Sequence, residues 1–136
     1  MKLSAIKTDP DRIEGGGWVD DIPNLPGVRI KARGIGNKDY RVLEGKLLRA
    51  LPRGLRTGGI DPEDQDRITG RLLLETVVLD VDGLTDDAGA PLVYSRDLGE
   101  QLLLDPAYRV FQAGASYAGA FVADRRKADE EADVKN

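Results

Sequence analysis

The 136-residue chain contains neither cysteine nor histidine. Without cysteine there is no disulfide framework, no thiolate metal site and no cysteine nucleophile. Without histidine the commonest general base, the commonest transition-metal ligand and the usual physiological-pH switch are missing as well. No apolar run approaches a membrane span, and the opening Met1-Lys2-Leu3-Ser4-Ala5-Ile6-Lys7 lacks the apolar centre of a signal peptide. A protein that stays in the cytoplasm, with no membrane partner, is the expectation. Concentrated positive charge is absent too. With 20 basic and 24 acidic residues the net charge is −4, whereas binding to a phosphate backbone requires a dense basic face. The basic residues at Arg29, Lys31, Arg33, Lys38 and Arg41, and again at Arg49, Arg53 and Arg56, read as solvated faces, so no nucleic-acid partner is expected. An enzyme built from this chain would have only carboxylates, lysine, tyrosine and serine to work with. A non-enzymatic protein is expected, with no catalytic residue, cofactor or metal.

What is present is an ordinary soluble composition, 32% charged and 40% hydrophobic, at a length suited to one domain. Residues 1–16 are polar and run into Gly15-Gly16-Gly17, which predicts an irregular arm. A single domain over 17–136 should follow. Trp18-Val19 and the alternating Val28-Arg29-Ile30-Lys31-Ala32-Arg33 flank a Pro26-Gly27 turn, so a β-hairpin is expected within 17–37, with Val28, Ile30 and Ala32 inward. Two strands alone are marginal in water, and this pair must lean on a helix or on another chain.

The remainder, 38–131, reads as helical. Asn37 is a candidate N-cap for a helix from Lys38 to Leu51, whose stripe is Tyr40, Leu43, Leu47, Leu48 and Leu51. A linker rich in glycine and arginine, Pro52–Ile60, follows. Asp61-Pro62 opens a second helix expected to reach Leu79, burying Ile68, Leu72, Thr76 and Leu79 with Leu73 at the border. The β-branched stretch Thr76–Val81 supports a competing strand there. Ser95 caps a short helix with Leu98, Leu102 and Leu103 on its buried face. Asp105-Pro106 opens the last, whose apolar stripe is read as Ala107, Val110, Phe111, Gly114, Ala118, Phe121 and Val122. Its middle, Ala113–Ala120, is small on nearly every side, which suits close helix packing inside the fold or across an interface. A charged end follows from Ala123. The fold class is therefore mainly α with a small N-terminal β-hairpin (α+β).

Two motifs fail on inspection. Gly34-Ile35-Gly36-Asn37 lacks the third glycine of a dinucleotide loop, and Gly45-Lys46 lacks the Ser/Thr of a P-loop. In the acidic run Asp80–Asp87, an EF-hand counted from Asp80 would put Leu84, Thr85 and Pro91 at its fifth, sixth and twelfth positions, where an oxygen ligand, glycine and glutamate are needed. From the residues alone the chain is a soluble α-rich interaction domain.

A series of short motifs carries the reading further. Gly17-Trp18-Val19, the alternating basic strand and Gly34-x-Gly36-Asn37 come first. Glu75–Leu84, Gly89-x-Pro91-Leu92-Val93-Tyr94-Ser95, Leu102-Leu103-Leu104-Asp105-Pro106, Tyr108-Arg109-x-Phe111 and the closing Lys135-Asn136 follow in order. In that order they resemble the tail assembly chaperones of long-tailed (siphovirus-type) bacteriophages, over about residues 15 to 136. The chain departs from that pattern at Val81, where a tryptophan is common. The resemblance implies a non-enzymatic protein of the host cytoplasm, absent from the mature virion. Such a protein binds the tape-measure protein, keeps it soluble, helps recruit tail-tube subunits and self-associates. Tyr94, Phe111, Tyr117 and Phe121 are the candidate partner-binding residues. The alternative from another class is a structural virion protein, a tail or neck subunit.

Overall fold

The structure, a computed structural model, describes residues 1–52 and 59–124. Most of the expected linker over 52–60, and the charged end beyond Asp124, lie outside the described residues.

Period-two alternation has the expected result in the hairpin. Strand β2 (Arg29–Ala32) turns Ile30 and Ala32 fully inward and leaves Arg29 exposed. It pairs antiparallel with β1 (Gly17–Val19), placing Trp18 opposite Lys31 and Val19 opposite Ile30. On its other side β2 pairs with a third strand, β3 (Val78–Asp82), with Ile30 opposite Val81. The sheet order is β1-β2-β3.

That third strand corrects the expectation of a helix to Leu79 and of an all-helical 38–131. The helix that Asp61 caps ends its α-geometry at Leu72, widens into a π turn over Leu73–Val77, and becomes strand at Val78. The buried Thr76 hydroxyl donates back to the Leu72 carbonyl (2.6 Å), a bond that bends helices. The β-branched Val77, Val78 and Val81 suit the strand that follows. Leu79, expected in the core, is 44% exposed. Ala32 pairs with Val78 and Lys31 with Asp80, so Leu79 is the extra residue of a β-bulge, and Leu79 and Asp80 both point outward. Leu73, expected at the border, is fully buried.

Each helix start uses the side chain its sequence offers. Helix α1 (Pro10–Gly15) is capped by Asp9, which accepts from Arg12 N–H (3.3 Å). These residues were expected in an irregular arm. They form a helix because Asp9-Pro10 is a start signal, and they dock on the hairpin exit, where Gly34 N–H donates to the Ile13 carbonyl (2.9 Å). Helices α2 (Lys38–Arg49), α3 (Pro62–Leu72) and α4 (Arg96–Leu104) are capped by Asn37, Asp61 and Ser95, accepting from Tyr40, Glu63 and Leu98 N–H at 2.9, 3.2 and 3.2 Å. Asp105 caps a 3₁₀ turn (Pro106–Tyr108) that leads into α5 (Arg109–Asp124).

Asn37 does more than cap. It has no solvent exposure, and its amide nitrogen donates to the carbonyls of Gly34 (2.9 Å) and Thr76 (2.7 Å). Helix ends leave carbonyls without helical partners. Here the π turn's are taken from across the fold, Thr76 by Asn37 and Val77 by Arg33 N–H (2.9 Å).

The core lies between the sheet's inner face, the π turn and α5. From the sheet come Val19, Ile30, Ala32, Val78 and Val81; from the π turn Leu73, Leu74 and Val77; from α4 Leu102 and Leu103; from α5 Phe111, Ala115, Ala118 and Val122. Gly114, Ala115, Ala118 and Gly119 of α5 therefore serve the protein's own interior. Leu25 sits where a side chain at Gly114 would go, Ile35 where one at Gly119 would go, and Ile35 N–H donates to the Gly119 carbonyl (3.1 Å).

Glycines inside helices can be sorted by what surrounds them. A side chain at Gly45, in α2, would meet only the mobile guanidinium of Arg49 (3.2 Å). Gly45→Ala is therefore expected to stabilise the protein by about 0.5–1 kcal/mol, seen as a higher denaturation midpoint at unchanged slope.

Candidate partner-binding surface

Because the middle of the inner face of α5, at Gly114, Ala115, Ala118 and Gly119, is closely packed with small residues, Tyr117 and Phe121 are turned outward. This corrects the expected stripe. Val110 is 56% exposed, Tyr117 40% and Phe121 42%. The buried face is Phe111, Gly114, Ala115, Ala118, Gly119 and Val122. On a helix Val110, Ala113, Tyr117 and Phe121 fall on one side, and all four are exposed. Tyr117 and Phe121 stack there, ring centroids 6.2 Å apart and planes 30° from parallel. Ordering the two rings against each other before a partner arrives lowers the entropic cost of binding.

The four candidate residues thus separate. Tyr117 and Phe121 share the exposed face. Phe111, only 4% exposed, is a core residue and drops out as a surface anchor. Tyr94 is half-buried and packs on α4, its hydroxyl against Gly99, where an added side-chain carbon would lie 2.6 Å away. Burial pushes the Tyr94 hydroxyl above the usual tyrosine range. Val110 and Ala113 were missed as surface residues. The only signal for them was the size of the residues around them, since periodicity cannot choose between two apolar sides of one helix.

Beside the N-terminal half of this face lies a hollow of ≈ 350 Å³, lined by Asn24, Arg109, Val110, Gln112, Ala113 and Ser116. Asn24 reaches it from the β1–β2 connection in a left-handed conformation (φ 65°). Gln112 Nε2 donates to the Asp66 carbonyl (2.9 Å), and the Arg109 guanidinium lies 3.4 Å from the Asp66 carboxylate. A second groove of ≈ 470 Å³ separates α2 from α3, with Leu47, Leu51, Ile68 and Leu104 among its walls and Arg67 and Arg71 at its side.

The charged groups elsewhere hold structure together. Arg29 pairs with Asp20 (2.6 Å) and lies over the Trp18 ring (4.9 Å), while Arg33 reaches Glu14 (3.2 Å) and Asp39 (2.7 Å). Two of the three cations of the basic strand are thus neutralised. In the acidic loop the Asp86 carboxylate takes Ala88 and Ala90 N–H (both 2.9 Å), closing the turn before Pro91. Among the described residues no group of carboxylates is arranged to hold a metal ion. Arg96 grips Glu75 with both terminal nitrogens (2.9 and 2.5 Å) and Glu100 with Nε (3.0 Å), joining the start of α4 to the π turn. The hydrogen bonds from Arg96 hold the Glu75 carboxyl below the usual range. No helix among the described residues is long and apolar enough to cross a membrane.

Fold and surface together define a small α+β domain, mainly helical, whose last helix carries its core on one side and exposed apolar residues on the other. The chain is phage-derived: it belongs to the YdaY prophage protein family, which matches residues 35–136, from the loop before α2 to the C-terminus. No curated protein and no solved structure matches it.

Proposed function

We propose that this prophage protein is a non-enzymatic tail assembly chaperone. It binds the tape-measure protein in the host cytoplasm, keeps it soluble, helps recruit tail-tube subunits, and is left out of the finished particle. The observation that carries the reading is the exposed, stacked Tyr117–Phe121 pair on an apolar face of α5. A tape-measure protein is long and helical, and an apolar stripe along one helix is the natural seat for another. The phage family and the order of motifs from Gly17 to Asn136 support the same reading.

The test is co-expression with a phage tape-measure protein. Tyr117→Glu with Phe121→Glu should leave the chaperone folded, since both side chains are exposed, and should send the tape-measure protein into the insoluble fraction. If the tape-measure protein stayed as soluble as with the wild type, the assignment of this face would be lost. The rival, a tail or neck subunit donating its hairpin to a neighbour, finds less support, because β2 already has a partner on each side. Mass spectrometry of purified particles separates the two readings: a chaperone is absent, a structural subunit abundant.

A further inference from the structure

We infer that the outer face of α5 is self-complementary, and that a second copy of the chain covers it in the free protein by packing its own α5 antiparallel across a two-fold axis. The inference shares a face with the proposed function but does not depend on it, because it concerns the protein without any phage partner.

Three features of that face argue for it. The first is shape. Val110, Ala113, Tyr117, Ala120 and Asp124 recur at alternating spacings of three and four, the seam that lets two helices interlock side chains. Along it Ala113 and Ala120 leave room for a second helix to come close. The second feature is apolar continuity. An antiparallel two-fold pair centred between Ser116 and Tyr117 turns like flanks of the seam to each other, so Tyr117 of one copy lies by Tyr117 of the other, Phe121 by Val110, and Ala113 opposite Ala120.

The third feature is charge. α5 begins at Arg109 and ends at Asp124, and both are exposed. In this register Arg109 of each copy faces Asp124 of the other, and the two helix dipoles oppose. A parallel pair would instead bring Arg109 to Arg109 and Asp124 to Asp124. Within one chain Arg109 has only a solvent-exposed pairing with Asp66 (3.4 Å), which is easily shared or exchanged.

The contact is small. A helix of 16 residues is about 24 Å long, and one such face falls short of the roughly 800 Å² per partner of a standard stable interface. The dimer is therefore a weak and reversible one, and a longer apolar helix can displace it.

Sedimentation equilibrium of the full chain, from micromolar to millimolar concentration, should show a reversible monomer–dimer equilibrium with a dimer of twice 14.8 kDa. Tyr117→Ser with Phe121→Ser should abolish it while the circular dichroism spectrum is kept. Arg109→Asp or Asp124→Arg alone should raise the dissociation constant roughly tenfold, since two symmetry-related pairs become repulsive at once. The double variant, Arg109→Asp with Asp124→Arg, should recover the wild-type value. Asp66→Asn, which removes the partner of Arg109 within the chain, should leave the dimer intact. A monomer at every concentration, an oligomer larger than two, a dimer indifferent to Tyr117 and Phe121, or a double charge swap without rescue each overturns the inference. None of these outcomes bears on tape-measure binding, which co-expression reads separately.

Discussion

Asn37→Ala is expected to cost about 3 kcal/mol of stability, measured as a lower midpoint of urea denaturation at unchanged slope. The loss has two parts. About 1 kcal/mol is the cap at the start of α2, where the side-chain oxygen takes Tyr40 N–H. The larger part comes from the far side of the same amide. Removing it strips the Thr76 carbonyl of the donor that reaches it from outside its own helix, at a site with no exposure to water. An orphaned buried acceptor costs about 1–3 kcal/mol. The Gly34 carbonyl is spared, because Asn37 N–H still donates to it (3.1 Å). Asn37→Ser separates the parts: a hydroxyl can still cap α2 but cannot reach both Tyr40 and Thr76, so it should lose about 2 kcal/mol. A serine variant as stable as the wild type would show that the link to Thr76 contributes nothing, and equal losses for serine and alanine that the cap contributes nothing.

Gly70→Ala is expected to destabilise by about 3 kcal/mol, although the same change raises helix propensity by about 1 kcal/mol. Gly70 sits where α3 crosses the end of α4. A Cβ there would overlap the Leu103 carbonyl oxygen and press on the Gln112 amide (2.9 Å). The carbonyl is backbone and cannot step aside, so the two helices must separate. In doing so they strain the bonds Gln112 makes to Asp66 and Leu103. The comparison with Gly45→Ala makes the test sharp, since propensity favours alanine equally in both and only the surroundings differ. If both variants gained stability, the close crossing of α3 and α4 would be wrong.

Much of the fold was legible because it was written in local chemistry. Asn37, Asp61, Ser95 and Asp105 each announce a helix or turn start, and each does so in the structure. The alternation from Val28 to Arg33 announced the strand. What could not be read locally was decided by distant partners. Thr76–Val81 has both helical and extended character, and the free edge of β2 settles it as a strand. The face of α5 was misassigned for a related reason. Apolar residues fall on both sides of that helix, and the close approach of Leu25 and Ile35 puts Gly114 and Gly119 inside and leaves Tyr117 and Phe121 outside. Of the candidate site, Tyr117 and Phe121 are legible as a pair. Phe111 is not, since an aromatic residue on such a helix reads the same whether it serves the core or the surface.

The order β1-β2-β3 has a consequence for how the protein comes off the ribosome. β3 follows β2 only after all of α2 and α3, and the helix that covers the inner face of the sheet is the last element described. Until β3 has emerged, Ile30 and Ala32 lie on a two-stranded hairpin too small to persist alone, and until α5 has emerged the sheet's inner face lacks the helix that covers it. Productive collapse must wait for contacts between the two ends of the chain, which slows folding relative to a bundle of neighbouring helices. A protein proposed to shelter another chain thus passes through an interval in which its own apolar strand is unsheltered.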